Sequence, residues 1–497
     1  MAAVPNQSLT VRDPGLGLAP EAASTFIFFG TSSHGNVNQL QYYSTKGQVL
    51  DELGDGPLAE SLCYYLTVAG GPAIGVRVDH EGNEGAVTMG TPARVSTSVG
   101  TVDVDAVDDP GTPAGPYDAY EGIVEITVSG ALGAGEFRYT LDGGTSWSPS
   151  LVIPAGGTYL VPHTGLEIEF DDEPAGALKF ESGDSFPFST TANHYDVSAL
   201  ADAMDSVAEA TDEFAVAVLC GEEASTSDGA TMFAALATHM AGFANGFRYA
   251  GALMSAGYPF DADDLLFNTA KSDFANSIDS RIGVTYAGCR LISQKPFVGW
   301  GVIRRPLVDV VAGRAGAELI STHLGRFASG SLTGVVNIEY DEFKGGQGMS
   351  ASKFIVSRTW PGAGGFFINR GNLRSPVGSD FSIWPMRRIA DTACDVTVKA
   401  LQPFMNSKIR VLKDGTGRID PTAAAKIETQ VNKALRAALI EPKDAEGNQG
   451  HVAAARYVVD RTNNVQATNR VMGSVVVVPD AYAEEIATDL GFAASAE

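Results

Sequence analysis

The sequence predicts a multidomain protein of α/β (α+β) class, with a mixed sheet and helices as its core and an inserted antiparallel β domain. Helical and strand patterns alternate over residues 21–78 and 196–370, which is typical of an open, mostly parallel sheet covered by helices. Helical periodicity is absent from residues 79–195, where short alternating runs indicate antiparallel strands. A hydrophobic content of 44% over 497 residues is sufficient for a large core.

The core begins after a polar arm, residues 1–20, whose prolines exclude a central strand. STFIFFGTS then predicts a buried strand, and GPLAESLCYYLTVA predicts a helix with Pro57 in its first turn. GGPAIGVRV predicts a second buried strand. A strand, a helix and a strand in this order favour a parallel pair joined by a helical crossover.

The inserted β domain is strongly acidic. Between residues 79 and 190 there are 19 acidic and 3 basic residues, so this stretch holds most of the net charge of −25. The runs IVEITVSG, EFRYTLDGG and TYLVPHTGLEIEF are its clearest strands. We expect this domain to project from the core and to be exposed on the outside.

After residue 196 the alternation of helices and strands resumes. The predicted helices are 197–210, 228–244, 264–278 and 306–325, and the predicted strands are 213–220, 247–257, 281–289 and 353–360.

The last quarter predicts a C-terminal α/β domain, residues 371–481, followed by an arm at 482–497. It contains predicted helices at 380–404 and 421–440 and paired strands at 455–462 and 469–479. The valine run in the second strand indicates a buried strand. Between residues 382 and 418 there are seven bases and three acids, which suggests a surface for an acidic partner.

Several classes of chemistry are not supported by the sequence. It has no phosphate-binding loop, no serine nucleophile elbow and no closely spaced histidines or cysteines. We therefore predict no catalytic residues, no cofactor and no metal site, and a protein that is not an enzyme. The acidic balance argues against nucleic-acid binding. No apolar run is long enough for membrane insertion, and no signal peptide pattern is present.

Five stretches, in order, resemble a contractile tail sheath protein of myophages and contractile injection systems. The segment GGFFINRGNLRSPVGSDFSIW, before the arginine pair, departs from the family pattern and indicates a divergent branch. The stretches that carry the resemblance are GPLAESLCYYLTVAGGPAIGVRV, EFRYTLDGGTSW with KFESGDSFPFSTT, RRPLVDVVAGRAG, WPMRRIADTACDVTVKALQPFMN and VVVVPDAYAEEI.

The resemblance implies a virion structural subunit that forms a helical polymer around the tail tube and contracts to drive the tube through the target envelope. Its implied partners are further copies of itself, the tail tube protein, and baseplate and tail terminator proteins. Assembly would take place in the bacterial host cytoplasm, and residues 371–481 would form the inner, assembly-bearing domain.

In such a sheath, terminal arms add strands to neighbouring subunits. The candidate arm anchors are Leu9, Val11, Leu16, Leu18, Ile486, Leu490 and Phe492. The candidate acceptor strand is Val475, Val476, Val477 and Val478, and the candidate contacts to the tube or another subunit are Arg387, Arg388 and Lys399.

Two alternatives remain open at this point. One is another virion structural protein, or one whose acidic β domain binds glycans. The other, less favoured, is an α/β enzyme with a β-domain lid.

Overall fold

A computed structural model describes residues 25–95, 98–107, 115–171, 179–221, 225–257, 264–345, 348–443, 445–448 and 450–484. The chain divides into two compact units. Unit 1 comprises Met1–Glu318 and Leu324–Arg387, and unit 2 comprises Leu319–His323 and Arg388–Glu497.

Unit 1 combines parallel and antiparallel sheets with helices. Its elements are β1 (Phe26–Gly30), β2 (Leu40–Tyr43), α1 (Lys46–Leu53), α2 (Pro57–Val68), β3 (Ala73–Arg77), β4 (Val87–Met89), β5 (Thr101–Ala106), β6 (Glu121–Val128), β7 (Glu136–Thr140), β8 (Leu151–Val152), β9 (Thr158–Val161), β10 (Leu166–Asp171), β11 (Ser185–Thr190), α3 (Val197–Glu209), β12 (Val216–Leu219), α4 (Thr226–Asn245), β13 (Gly251–Ser255), α5 (Asp264–Asp273), β14 (Ile282–Thr285), β15 (Gly288–Phe297), β16 (Trp300–Pro306), α6 (Leu307–Ala317), β17 (Val335–Ile338), α7 (Glu342–Gly345), β18 (Ser357–Arg358) and β19 (Phe367–Ile368).

Helix α8 (Trp384–Leu401) begins in unit 1 and ends in unit 2. The remaining elements of unit 2 are α9 (Pro421–Leu435), which continues as a π-helical turn (Arg436–Ile440), β20 (Ala454–Val459), α10 (Val465–Thr468) and β21 (Gly473–Val478).

The main sheet of unit 1 has the strand order β14-β13-β12-β1-β3-β2 among the described residues. Strand β1 pairs in parallel with β12 and with β3, as the sequence predicts, and only β2 is antiparallel to its neighbour. Phe26 and Phe28 face the core that includes α2 and α6, while Ile27 and Phe29 face the core that includes α3, α4 and α5. Buried on both faces, β1 reads as an unbroken apolar run.

The strands between β3 and α3 form two antiparallel sheets, β5-β10-β9 and β4-β11-β6-β7-β8. On β5 and β10 the apolar side chains are buried, and the intervening acidic side chains are exposed or half-buried. Asp105 lies directly opposite Glu167, and Asp103 directly opposite Glu169. These four carboxylates therefore share one face of the sheet.

A hairpin that the sequence did not reveal, β15–β16, binds this β region to the rest of unit 1. The Arg305 guanidinium donates to both carboxylate oxygens of Asp118, and both residues are buried. Arg290 donates to Glu121 at 2.6 and 2.8 Å. The β region is thus part of the same compact unit as the parallel sheet.

Some predicted elements have different bounds. The prediction of one strand over 281–289 is wrong, because β14 ends at Thr285 and Ala287 turns the chain with a φ of 67°. Strand β15 then starts at Gly288 in a different, antiparallel sheet. The strand predicted at 353–360 is reduced to Ser357–Arg358.

Unit 2 has its own apolar core. Helix α9 contributes Ile427, Val431 and Leu435, which pack in one cluster with Tyr457 and Val459 of β20. Asp420 caps the helix by accepting from the N–H groups of its first turn, and Pro421 occupies the first helical position, where no N–H is needed.

Candidate assembly surface

Strands β20 and β21 form an antiparallel sheet of two strands, in register from Ala454 opposite Val478 to Val459 opposite Gly473. Each strand has a second edge with which no strand pairs in the part of the chain that the structure describes. Unpaired edges are where another chain can add a strand. The two edges are chemically different.

The edge of β20 is covered by side chains of α9. The Tyr457 N–H donates to Asn432 Oδ1 at 2.7 Å, and Asn432 Nδ2 donates to the Tyr457 carbonyl at 3.1 Å. The Val459 N–H donates to Glu428 Oε1 at 3.0 Å. Glu428 also accepts from Arg461 at 2.8 Å, which fixes its carboxylate in place. The outward N–H and carbonyl of Tyr457 and the outward N–H of Val459 are therefore already hydrogen-bonded.

Within the described ranges, no side chain is hydrogen-bonded to the edge of β21. The Asp460 N–H donates to the Met472 carbonyl at 2.8 Å, so Met472 and every second residue after it point their peptide groups toward β20. The peptide groups of Val475 and Val477 therefore point away from β20. No hydrogen-bond partner is found for them among the described residues.

The prediction that the valine run is buried is wrong. Val476 is 40% exposed and Val478 is 49% exposed, while Val475 and Val477 are half-buried. Only one face of the two-stranded sheet packs on the core of unit 2, so the alternate valines face solvent. The role of Val475–Val478 as an acceptor strand stays a prediction.

The two arginines of the candidate contact, Arg387 and Arg388, are buried in the subunit. Arg387 is only 7% exposed and Arg388 only 5% exposed, and the Arg387 guanidinium lies 5.4 Å from the centre of the Phe381 ring. The role of Arg387, Arg388 and Lys399 as contacts to the tube or another subunit stays a prediction. Lys399 is paired with Asp395, one helical turn away, at 2.9 Å.

The exposed positive charge of unit 2 lies elsewhere. Residues 388–484 contain 13 bases and 11 acids, a net of +2, which leaves −27 for the other residues of a chain at −25. Within the loop 405–418, Met405 is largely exposed, and Asp414 is hydrogen-bonded to Thr416. The exposed bases of this loop are Lys408, Arg410, Lys413 and Arg418.

The predicted arm anchors Leu9, Val11, Leu16, Leu18, Ile486, Leu490 and Phe492 lie outside the described residues. The first residue of the second arm is described, and its side chain is anchored: the Tyr482 hydroxyl donates to the Ser321 carbonyl at 2.6 Å. The Ser321 hydroxyl is in turn 2.8 Å from His451 Nδ1.

Sequence reasoning missed Glu428 and Asn432. Their only sequence signal is a pair of polar residues four apart beside the apolar positions Ile427 and Val431, and that pattern also describes an ordinary solvated helix face. In the described part of the chain, no cluster of side chains could hold a metal ion. The same residues include no helix of sufficient length and apolarity to span a bilayer.

Neither a comparison with protein-family models nor one with curated proteins gives a match. Solved structures do match over nearly the whole chain. A chain of the cryo-EM structure of the anti-feeding prophage (AFP) baseplate, 6-fold symmetrised, superposes with a TM-score of 0.52 at 11% identity, covering 99% of each chain.

Two further similar structures come from contracted assemblies. The PVC sheath complex of an extracellular contractile injection system gives a TM-score of 0.52 at 9% identity, covering 99% of this chain and 98% of that one. The AFP helical sheath gives 0.50 at 12% identity, covering 99% of each chain. The chain therefore has the fold found in these contractile assemblies, which confirms the resemblance at the level of fold.

Proposed function

We propose that this chain is the structural subunit of a contractile tail sheath. Copies of it polymerise as a helical tube around a tail tube and contract to drive that tube through the target envelope. The observation that carries the proposal is the likeness in fold, from end to end, to chains of contractile assemblies, two of them in contracted sheaths. The role is mechanical and needs no catalytic residue.

The open edge of β21 supports a specific mode of polymerisation. Strand addition uses main-chain hydrogen bonds for strength and alternate side chains for register. Both terminal segments have apolar residues at every second position, Leu9 and Val11 in one and Leu490 and Phe492 in the other. This period suits a strand with one face on a core and one in solvent.

Contacts of this kind are head-to-tail and do not close, so they build a helix of subunits. Contraction then draws on energy stored in the packing between subunits. A difference of ~1 kcal/mol per subunit, summed over a hundred or more copies, would far exceed the stability of one domain.

The distribution of charge supports a proposal for the partners of the subunit. The basic loop 405–418 of unit 2 suits an acidic partner, for which the tail tube is our proposal, with baseplate and terminator proteins at the ends of the polymer. In this arrangement residues 371–481 lie inside and the acidic insertion, residues 79–195, lies outside.

The test is polymerisation of the full chain, seen by negative-stain electron microscopy and sedimentation. Leu9→Asp with Val11→Asp places two charges on the apolar side of the N-terminal arm and should leave the protein as soluble subunits. Ser8→Asp with Thr10→Asp places the same charges on the opposite side and should still form tubes. Equal polymerisation of the two double variants would contradict arm-mediated assembly.

A further inference from the structure

We propose that an exposed cluster of aromatic rings around Arg358 in unit 1 binds an acidic surface of a second copy of this chain. The inference rests on the proposed function, because it assigns a contact between copies in the polymer. The cluster, called the aromatic patch, includes no residue of the terminal arms or of unit 2. It consists of Phe327 in a short turn, Phe343 on α7, Arg358 on β18 and Trp360 two residues later.

The rings and the guanidinium of the aromatic patch form one continuous row. The Arg358 guanidinium lies 3.6 Å from the centre of the Trp360 ring and 5.6 Å from the centre of the Phe343 ring. The centre of the Phe327 ring lies 5.8 Å from that of Trp360 and 5.3 Å from that of Phe367, on which it stacks. Because Phe367 is buried, the row is fixed to the interior of unit 1 at one end.

The same row is open to solvent. Phe327 and Phe343 are each 54% exposed, and Trp360 is 36% exposed. Contiguous exposed apolar groups on a folded protein mark interaction sites. Aromatic residues and arginine are enriched in protein–protein interfaces, and Trp and Arg are frequent among the residues that dominate the binding energy. The aromatic patch therefore has the composition of a protein-binding surface.

Arg358 carries a positive charge for which the described part of the chain provides no paired carboxylate. Its guanidinium donates to the Asn369 side-chain oxygen at 3.2 Å and to the Thr359 carbonyl at 3.3 Å, both of which are neutral groups. Stacking on Trp360 holds the plane of the guanidinium in place through a cation–π contact. The remaining N–H donors are therefore positioned for a carboxylate of a partner.

The acidic residues closest in sequence to the aromatic patch already have partners. Asp341 accepts from the Thr359 hydroxyl at 2.6 Å and from the Thr359 N–H at 3.0 Å. Glu342 accepts from the Tyr340 hydroxyl. The chain as a whole is strongly acidic, with 59 acidic and 34 basic residues. The surface of another copy is therefore the electrostatic complement of Arg358.

The contact joins two different surfaces. Two aromatic patches placed face to face would bring two guanidinium groups together without a carboxylate between them, so a symmetric pair is disfavoured. A patch on one copy and an acidic surface on the next form a head-to-tail contact, which does not close and extends a helix. Because the stacked side chain of Arg358 is already ordered, little conformational entropy is lost when it binds.

A photo-crosslinking residue in the aromatic patch identifies its occupant. p-Benzoylphenylalanine replaces Phe343 in the full-length chain, and in a second variant it replaces Phe247, which lies outside the patch and is 64% exposed. Polymers of the purified protein, which contain only copies of this chain, are irradiated. We expect position 343 to give covalent dimers in the polymer but not in dissociated subunits, at several times the yield from position 247. Equal yields from the two positions, or no dimers from position 343, would overturn the inference.

Substitution of Arg358 measures what its charge contributes. Arg358→Gln should raise the critical concentration for polymerisation by about tenfold or more, because the partner carboxylate loses its cation. Lys344, whose side chain is 72% exposed, carries the same charge next to Phe343, and Lys344→Gln should change the critical concentration by less than about threefold. Melting curves of the isolated subunits show whether both variants fold. Equal effects of the two substitutions would contradict a specific role for Arg358.

Phe343→Ala tests the rings separately from the charge, since it leaves both hydrogen bonds of Arg358 in place. This variant should also raise the critical concentration. A polymer that is indifferent to Arg358→Gln and to Phe343→Ala would overturn this inference while the proposed function stands. Cross-links in whole particles that reach a different protein, with none between copies, would overturn it as well. Failure of the unmodified chain to polymerise would instead overturn the proposed function, and this inference with it.

Discussion

Strands β1 and β21 are both short apolar runs, but they differ in burial and in the number of neighbouring strands. Phe26–Gly30 is buried along its whole length, with a parallel strand on each side and a core on each face. Among the described residues, Gly473–Val478 has a strand on one side only, and its alternate valines are exposed. The same local signal thus marks a closed centre in unit 1 and an open edge in unit 2.

The difference shows that burial is decided by neighbours rather than by the strand itself. Strand β1 receives its neighbours from its own chain, through the crossovers that contain α2 and, later in sequence, α3. Strand β21 receives one neighbour from its own chain. Under the proposed function another copy supplies the second neighbour, so the open edge of β21 is needed for assembly.

The largest effect is expected from proline in the open strand. Val477→Pro removes an N–H that faces solvent in the subunit, a position where an edge strand tolerates proline, but that same N–H is needed to bind a donor strand. We expect the variant to fold normally and to lose polymerisation almost completely, by sedimentation. Val477→Thr keeps the N–H and should polymerise. Tubes of Val477→Pro would contradict the role of this edge.

The next largest effect is on the free energy of unfolding, which should respond differently to substitutions in β1 and in β21. Phe28→Ala empties a site that is fully buried, which should lower the free energy of unfolding by about 3–5 kcal/mol. Val478→Ala, at the exposed end of β21, should change it by less than ~1 kcal/mol. Denaturant unfolding of the isolated subunit measures both, and similar losses at the two positions would remove the contrast between the strands.

A third prediction concerns the pH dependence of stability that a buried carboxyl group in unit 1 should produce. Asp309, on α6, is buried, with only 2% of its surface exposed. Burial raises the pKa of Asp309 to about 7, against the opposing charge of Arg305. Because the folded state holds this proton more tightly than the unfolded state, stability should fall as pH rises from about 4 to about 7.

Asp309→Asn should therefore flatten this fall and stabilise the protein at pH 8, by about 1.4 kcal/mol for each unit of pKa shift that it removes. Burial also raises the pKa of Glu60, so some dependence of the same sign should remain. Melting temperatures at pH 5 and pH 8 provide the measurement. An unchanged difference between the two pH values in Asp309→Asn would show that this carboxyl is not its source.

The smallest effect sharpens the contrast between the two edges of unit 2. Asn432→Ala leaves the Tyr457 N–H and carbonyl without their partner, which should cost about 1–2 kcal/mol and speed exchange of the Tyr457 amide. The adjacent exposed residue provides the control, since Lys433→Ala should stay within ~0.5 kcal/mol of the unmodified chain. Equal exchange in the two variants would show that Asn432 does not cover the edge.

The sequence predicts what depends on local pattern. The alternation of helices and strands after residue 196, the parallel pair β1–β3, and the pairing of β20 with β21 follow from periodicity and turn residues. The β15–β16 hairpin could not be predicted in this way. Its first strand follows the apolar run of β14 after a turn at Ala287, so the two strands look like one in the sequence. Which fold family the chain resembles was accessible only through the order of several weak motifs.

The assembly surface was less predictable, for physical reasons. Arg387 and Arg388 are charged, and in a sequence a charge suggests exposure, whereas their burial depends on what packs around α8. The exposure of Val476 arises because no element of the described chain covers that face of the sheet. Glu428 and Asn432 acquire their role only when α9 lies beside β20, a contact between segments about 25 to 30 residues apart in sequence.

The opposed carboxylates of β5 and β10 have a consequence for particles in suspension. Asp103, Asp105, Glu167 and Glu169 form two like-charged pairs across the sheet, which weakens the sheet locally and gives its face a high density of negative charge. At physiological salt the Debye length is ~8 Å, so two such faces repel each other only near contact. A polymer displaying this face on every subunit would resist bundling with its own kind, and acid or concentrated salt would let the tubes aggregate side by side.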